Sequence, residues 1–185
     1  MSASAPVTGP PGPSGHPHPP RAVSEHLGRQ SRHGVLWLPV GPPASGKSEL
    51  AARLLATGQI DEDAIVGITR LRQMFTGSLR NRGSDAAVFE FADRLTRERL
   101  RHGCAVYRDG TNLDAKRRDA LVASLPPDTK IVTVVLNPPL AQLRATNAAS
   151  PEPLPDDVLV RLHHVVNDLA WADLPGTVVP AFEVP

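Results

Sequence analysis

Short apolar runs alternate with helical patterns along most of the chain. Val35–Val40 is a continuous apolar run, typical of a strand buried on both faces of a parallel sheet. After Lys47 the leucines fall at helical spacing instead, and Gly58 ends that pattern. On these criteria we predict strands over residues 35–40, 64–66, 105–107, 130–136 and 177–182, and helices over 47–57, 70–75, 85–102, 114–123, 140–149 and 156–171. Asp114 is expected to cap the helix that runs to residue 123, and Asp156 is expected to cap the last helix. This alternation predicts an α/β fold, a three-layer αβα sandwich around a mainly parallel sheet.

Composition separates the first 32 residues from the rest. The 185-residue chain has 20 prolines, and seven of them fall in the first 20 positions, where large apolar residues are almost absent. Such a segment cannot bury enough surface to offset the entropy of ordering it. We therefore predict a disordered tail over residues 1–32 and one domain over 33–185. His16 and His18 in the tail also suggest a metal site, but no cysteine or carboxylate lies near them.

Charge, cysteine content and hydropathy narrow the class of protein. A formal net charge of +1 gives no electrostatic argument for nucleic acid or a membrane surface as a partner of the whole chain. Cys104 is the single cysteine, so no disulfide can form within the chain, and a cytoplasmic location is expected. No apolar run approaches the 20 residues of a membrane-spanning helix, and we expect no membrane association.

A glycine-rich segment between the first strand and the first helix matches the pattern G-x-x-x-x-G-K-S of the P-loop. Glycines let the backbone N–H groups turn inward around a phosphate, and the following helix presents its positive N-terminus to the same anion. Lys47 reaches the β- and γ-phosphates, and the Ser48 hydroxyl is placed to bind Mg²⁺. The predicted ATP-binding residues are Gly41, Pro43, Ala44, Ser45, Gly46, Lys47 and Ser48. The fold class is accordingly predicted as that of P-loop NTPases.

Asp109 is the candidate acidic partner of this loop. It ends the third predicted strand, and ligands of parallel sheets collect at the carboxyl ends of the strands. We predict that Asp109 and Ser48 form the magnesium pair. The alternative is an ordinary turn aspartate before Gly110.

From Gly41 to about Trp171 the chain resembles the kinase domain of 5′-hydroxyl polynucleotide kinases. The resemblance rests on the P-loop, on the segment Asp109-Gly110-Thr111-Asn112-Leu113 with Arg118 after it, and on Asn147 with Pro155-Asp156-Asp157-Val158. It implies a P-loop kinase that transfers the γ-phosphate of ATP to a hydroxyl group. It also implies that Arg72, at the position of the arginine of a D-x-x-R motif, binds the acceptor.

Three positions depart from that family. Thr69 stands where the family has its general base, and a threonine cannot accept a proton near pH 7. Thr146 and Ser150 stand where arginines flank the family's lid asparagine, and Arg144 is the nearest partial substitute. Two interpretations of Asp85 stay open, an N-terminal cap or dipole partner of the long helix and a place near the acceptor.

The sequence therefore supports a catalytic hypothesis and a non-catalytic one. The first is an ATP-dependent phosphotransferase in which Lys47, Arg72 and Asp109 carry the reaction, with a nucleic acid 5′ end or a small molecule as acceptor. The alternatives are a nucleotide-binding pseudokinase that serves as a switch or partner-binding module, and a slow NTPase. An arginine-rich run on the long helix is interpreted as a solvated, salt-bridged face, and a nucleic-acid groove is the alternative: Arg94, Arg97, Arg99 and Arg101.

Overall fold

A computed structural model of the chain describes residues 34–79 and 81–184. The predicted tail and its two histidines lie outside these residues. The strands are β1 (Val35–Val40), β2 (Ile65–Gly67), β3 (Val106–Asp109), β4 (Lys130–Val135) and β5 (Thr177–Pro180). The helices are α1 (Lys47–Ala56), α2 (Ile68–Thr76), α3 (Asp85–Arg101), α4 (Ala115–Ala123), α5 (Leu140–Ala148) and α6 (Asp156–Asn167). Each predicted strand and helix is present, with ends that move by up to four residues.

The five strands form one parallel sheet in the order β2-β3-β1-β4-β5. This confirms the predicted α/β class. The order reverses direction at β1, because the chain adds β2 and β3 on one side and β4 and β5 on the other. Ligands of open parallel sheets bind where the strand order reverses, at the carboxyl ends of the strands.

The core consists of two clusters, one on each face of the sheet. Successive residues of β1 alternate between them, with Leu36 and Leu38 in one cluster and Trp37 in the other. The Leu36 cluster includes residues of α2, α3, α4 and α6, and the Trp37 cluster includes residues of α1. Helices therefore cover both faces, as the three-layer prediction requires. No helix of the described residues is long and apolar enough to cross a membrane.

The last helix corrects two predictions. Pro155 occupies the cap position and Asp156 is the first helical residue, so Asp156 does not cap the helix. The helix ends at Asn167 with Asp168 at its C-cap, and after a short 3₁₀ turn Leu174 is buried in the core. Trp171 lies in a short 3₁₀ turn and is 44% exposed. The predicted cap at Asp114 is confirmed, since its side chain accepts a hydrogen bond from the Arg117 N–H.

Candidate functional site

The loop between β1 and α1 has the backbone shape of an anion site. Ala44 and Gly46 adopt left-handed backbone angles, with φ of 64° and 96°. When left-handed residues alternate with ordinary ones, successive N–H groups turn toward a common centre. Because α1 begins at Lys47, directly behind this loop, its positive N-terminus meets the same centre.

Gly41 and Ser45 lie close together in the loop, next to Leu136. A β-carbon on Gly41 would lie 2.5 Å from the Leu136 carbonyl oxygen and 2.8 Å from the Ser45 hydroxyl oxygen, so only glycine fits. The Ser45 hydroxyl is buried, and within residues 34–79 and 81–184 it has no hydrogen-bond partner. Buried hydroxyls are normally bonded. An unpartnered hydroxyl in this loop is therefore suited to a ligand oxygen.

The Lys47 ammonium group lies over the loop. Nζ donates to the Pro42 carbonyl at 2.5 Å and to the Gly41 carbonyl at 3.3 Å. Burial lowers the pKa of Lys47 to about 8, although the charges of Asp109 and Glu49 oppose the shift. Lys47 therefore stays mostly protonated at pH 7 and supplies a cation where a phosphate would sit.

Asp109 ends β3, and its charge interacts with that of Lys47. Burial raises the pKa of the Asp109 carboxyl group, while Lys47 and Arg108 oppose the shift. Ser48 is exposed on the first turn of α1, and among the described residues no hydrogen bond joins it to Asp109. Hydroxyl and carboxylate oxygens are ligands that Mg²⁺ prefers, so this pair fits the metal. The metal pair itself stays a prediction.

The segment after β3 fastens the phosphate loop to the sheet. The Asn112 side-chain amide donates to the Pro39 carbonyl at 2.7 Å, which joins this segment to the end of β1. The Gly41 N–H donates to the Thr111 carbonyl at 3.1 Å. Arg118 is buried and donates to the carbonyls of Asn112 and the next residue, both at 2.9 Å. These residues carried the family resemblance, and here they hold the loop in place.

Tyr107 fixes the start of α1 against β3. Its side chain is fully buried, and its hydroxyl donates to the Lys47 carbonyl at 2.7 Å. Burial raises the pKa of this hydroxyl, so it keeps its proton near neutral pH. Tyr107 therefore sets the position of Lys47 relative to Asp109, two residues further along β3.

A cavity of about 490 Å³ opens beside the loop, on the face of the sheet covered by α2, α3 and α4. Pro43 of the loop and Gly110 after β3 form its near wall. The charged side chains around it are five arginines and three aspartates: Arg72, Arg82, Arg108, Arg117, Arg118, Asp85, Asp93 and Asp114. Its volume is typical of a small-molecule site.

Arg72 lies in this cavity, where the family resemblance implies an acceptor-binding arginine. It is buried, and Nε lies 2.7 Å from the Asp85 carboxylate. Asp85 is the first residue of α3 and lines the cavity. Ser84 occupies the cap position, so Asp85 does not cap the helix, and its carboxylate in the first turn fits the dipole interpretation. Thr69 lines the same cavity from α2, one turn before Arg72.

Asn147 shapes the connection between α5 and α6. Its side-chain amide donates to the Leu154 carbonyl at 3.0 Å and accepts from the Leu154 N–H at 2.9 Å. Arg144 binds the Asp156 carboxylate through two hydrogen bonds of 2.7 Å. The candidate substitute for the lid arginines is therefore held by a carboxylate of the next helix.

A sequence model of an AAA domain, AAA_33, matches residues 36–175 of the chain. The matched region begins in β1 and ends two residues before β5, and it contains the loop and the cavity. The chain belongs to the AAA_33 family. A comparison of the AAA_33 chain with curated proteins gave no match.

Three solved structures resemble this AAA_33 chain. A chain of the Pnkp1/Rnl/Hen1 RNA repair complex is 20% identical with a TM-score of 0.62, over 73% of this chain and 44% of that one. A candidate kinase from Chloroflexus aurantiacus is 17% identical with a TM-score of 0.56, over 80% and 87% of the two chains. A gluconokinase from Sinorhizobium meliloti is 16% identical with a TM-score of 0.50, over 83% and 85%. At these identities the likeness shows a shared fold.

Sequence reasoning missed Arg108 and Asp93 of the AAA_33 cavity. Arg108 is 3% exposed, and its Nη2 donates to Asp93 at 2.7 Å. A signal was present, since a charged residue inside a buried parallel strand is unusual and calls for a partner. Asp93 carried no such signal, because it lies among the exposed charges of α3.

The arginine-rich run on α3 is mostly salt-bridged, as predicted. Arg94 pairs with Glu90 at 3.6 Å, Arg99 with Asp61 at 3.2 Å, and Arg101 with Glu98. Partners of opposite charge already neutralise these guanidinium groups.

Proposed function

We propose that this AAA_33 protein is an ATP-dependent phosphotransferase that moves the γ-phosphate to a hydroxyl group of an acceptor held in the Arg72 cavity. The observation that carries the proposal is the position of that cavity. Pro43 of the phosphate loop forms part of its wall, so an acceptor inside it lies next to the bound phosphates. Holding two reactants side by side supplies much of the catalysis in phosphoryl transfer.

The loop and Lys47 bind the phosphates in this proposal. Lys47 gives up its contacts with the loop carbonyls and takes the β- and γ-phosphate oxygens instead. Ser48 and Asp109 would hold Mg²⁺, which when bound neutralises charge on the transferring group. Tyr107 and Asn112 keep these donors in position.

Asp85 takes the proton of the acceptor. The acceptor oxygen forms a bond to the terminal phosphorus, the bond from that phosphorus to the bridging oxygen breaks, and ADP leaves. The hydroxyl proton passes to the Asp85 carboxylate, which Arg72 orients at 2.7 Å. A carboxylate at the start of α3 thus does what Thr69 on α2 cannot, in the same cavity.

The second candidate function is nucleotide binding without transfer. It is favoured by Thr69 in the cavity. It is also favoured by the hydrogen bond from Arg144 to Asp156, because Arg144 is the nearest candidate lid arginine and is already engaged. With water in place of the acceptor, the same site would act as a slow NTPase.

Incubation with γ-labelled ATP and Mg²⁺ tests the proposal, with a 5′-hydroxyl oligonucleotide, gluconate or no acceptor added. These probes follow the two named activities among the structural neighbours, RNA repair and gluconokinase. Label on an acceptor, absent in Lys47→Ala, supports transfer and names the acceptor type. Tight nucleotide binding with no label on any acceptor favours the second candidate, and label released only as phosphate favours the NTPase.

A further inference from the structure

Arg108 is a buried arginine of the cavity that has N–H groups without a bonding partner among the described residues. Its Nη2 donates to Asp93 at 2.7 Å, but Nε and Nη1 are buried and have no partner within residues 34–79 and 81–184. Unbonded N–H groups of a buried cation are costly, because the solvation they lose is not replaced. Burial accordingly lowers the pKa of Arg108, with Asp93 opposing.

Structural packing does not account for this arginine. Arg118, in the same cavity, also has a buried Nε without a partner among the described residues, but it donates to two backbone carbonyls and so has a structural role. Arg108 makes a single side-chain bond instead, and an apolar residue would fill a buried strand position at lower cost. Its retained charge therefore points to a ligand.

The charges around the cavity indicate the sign of that ligand. Five arginines and three aspartates line it, which leaves an excess of two positive charges. The carboxylates are already engaged, Asp85 by Arg72, Asp93 by Arg108 and Asp114 by Arg117. Among the described residues the two excess charges are therefore those of Arg82 and Arg118, and Arg108 contributes its unbonded N–H groups. An anion is the species that would satisfy the remaining N–H groups.

We infer that the acceptor is a small alcohol that carries an oxyanion, a phosphate or a carboxylate, and that Arg108 binds this oxyanion at the base of the cavity. The inference rests on the proposed function only where it calls the ligand an acceptor. The anion site itself can be tested without phosphotransfer. A cavity of about 490 Å³ suits a compact molecule. Phe89 is the aromatic side chain of its wall, and Arg117 covers that ring at 4.0 Å, so a stacked base has no free platform there.

Arginine Nε–H signals in ¹⁵N NMR spectra test this site on the full chain. The protein is first saturated with Mg²⁺ and a non-hydrolysable ATP analogue, which fills the phosphate loop, and is then titrated with inorganic phosphate or with acetate. A saturable shift of the Arg108 Nε–H signal is expected. The probe that binds more tightly identifies whether the acceptor carries a phosphate or a carboxylate.

Three variants give the titration its controls. Arg108→Gln, titrated through the Arg118 Nε–H signal of the same cavity because the variant lacks the Arg108 signal, should weaken anion binding at least tenfold. Asp93→Asn should tighten it several-fold, because Asp93 competes with the anion for Arg108. Arg117→Gln, on the exposed rim, should leave the affinity within twofold. Opposite effects of the first two variants exclude a general loss of structure as the cause.

Absence of a saturable shift, or equal affinity in Arg108→Gln, would overturn the inference even if the protein phosphorylates a neutral alcohol. A nucleic acid that binds in the cavity more tightly than phosphate or acetate would also overturn it. Anion binding at Arg108 without transfer to any alcohol would support the site and reject the phosphotransferase proposal, so the two failures are distinguishable.

Discussion

Arg72 on α2 and Asp85 on α3 form a partly buried ion pair, with Nε and Oδ1 2.7 Å apart, in the cavity beside the phosphate loop. They are 13 positions apart in sequence, so their contact depends on the packing of α2 against α3. The pair places a carboxylate and a guanidinium next to each other although position 69 carries threonine.

Asp85→Asn tests the proton-accepting role. It should lower kcat for transfer about 100-fold, the order of a lost general base, with nucleotide affinity unchanged. Glu90→Gln on the same helix, whose partner is Arg94 on the surface, is the matched control and should leave kcat within twofold. Adding Thr69→Asp to Asp85→Asn should raise kcat at least tenfold above that of Asp85→Asn alone, since it returns a carboxylate to the cavity. An unchanged kcat in Asp85→Asn would remove Asp85 from the mechanism.

Nucleotide affinity should fall as the pH rises through about 8. The pKa of Lys47 is lowered to about 8, and only its protonated form attracts phosphate, so binding is full below this pH and is lost above it. The dissociation constant of ADP, measured by calorimetry, should rise about 8-fold between pH 7.5 and 9. Lys47→Arg should bind more weakly with an affinity that stays flat over this range. A flat profile in the wild type would show that Lys47 is not the titrating phosphate ligand.

Gly41→Ala should damage the loop without unfolding the sheet. The added β-carbon would lie 2.5 Å from the Leu136 carbonyl oxygen, a contact that the backbone must move to avoid. We expect a loss of nucleotide affinity of at least tenfold and a decrease of roughly 1–3 kcal/mol in the free energy of unfolding. In Gly67→Ala the nearest atom to the new carbon is 3.5 Å away, so this control should bind nucleotide normally. Equal affinities in the two variants would contradict the described loop geometry.

Asn112→Asp should destabilise the protein more than its small change in shape suggests. The Asn112 amide donates to the carbonyls of Pro39, Arg108 and Gly110 at 2.7, 3.0 and 3.3 Å, and a carboxylate would repel all three. We expect a loss of about 2–4 kcal/mol in urea unfolding. The control is Asn81→Asp, because Asn81 accepts a hydrogen bond from a backbone N–H and aspartate keeps it. Similar stabilities for the two variants would show that the Asn112 amide does not secure the loop.

The sheet and the phosphate loop could be predicted because their signals are local. Consecutive apolar residues such as Val35–Val40 predict a buried strand, and the fixed glycine spacing of the loop follows from the backbone turn that it must make. The cap at Asp114 has the same local character. These features depend on neighbours within a few residues.

The cavity could not be predicted in the same way, because it depends on contacts between distant segments. The Arg72–Asp85 and Arg108–Asp93 pairs form only when α3 packs over α2 and β3. The end of the last helix was mispredicted for a related reason. The chain leaves the helix at Asp168 before Leu174 reaches the core, and no glycine or proline near Asn167 marks that end in the sequence.

Calorimetric titration with Mg²⁺ and an ATP analogue tests the central claim most directly, since every proposal places a nucleotide in the loop from Gly41 to Ser48. The account predicts saturable one-to-one binding to the wild type and a loss of affinity of at least 100-fold in Lys47→Ala, with an unchanged circular dichroism spectrum. Equal affinity of the two proteins for the nucleotide would contradict the assignment of this loop as the phosphate site.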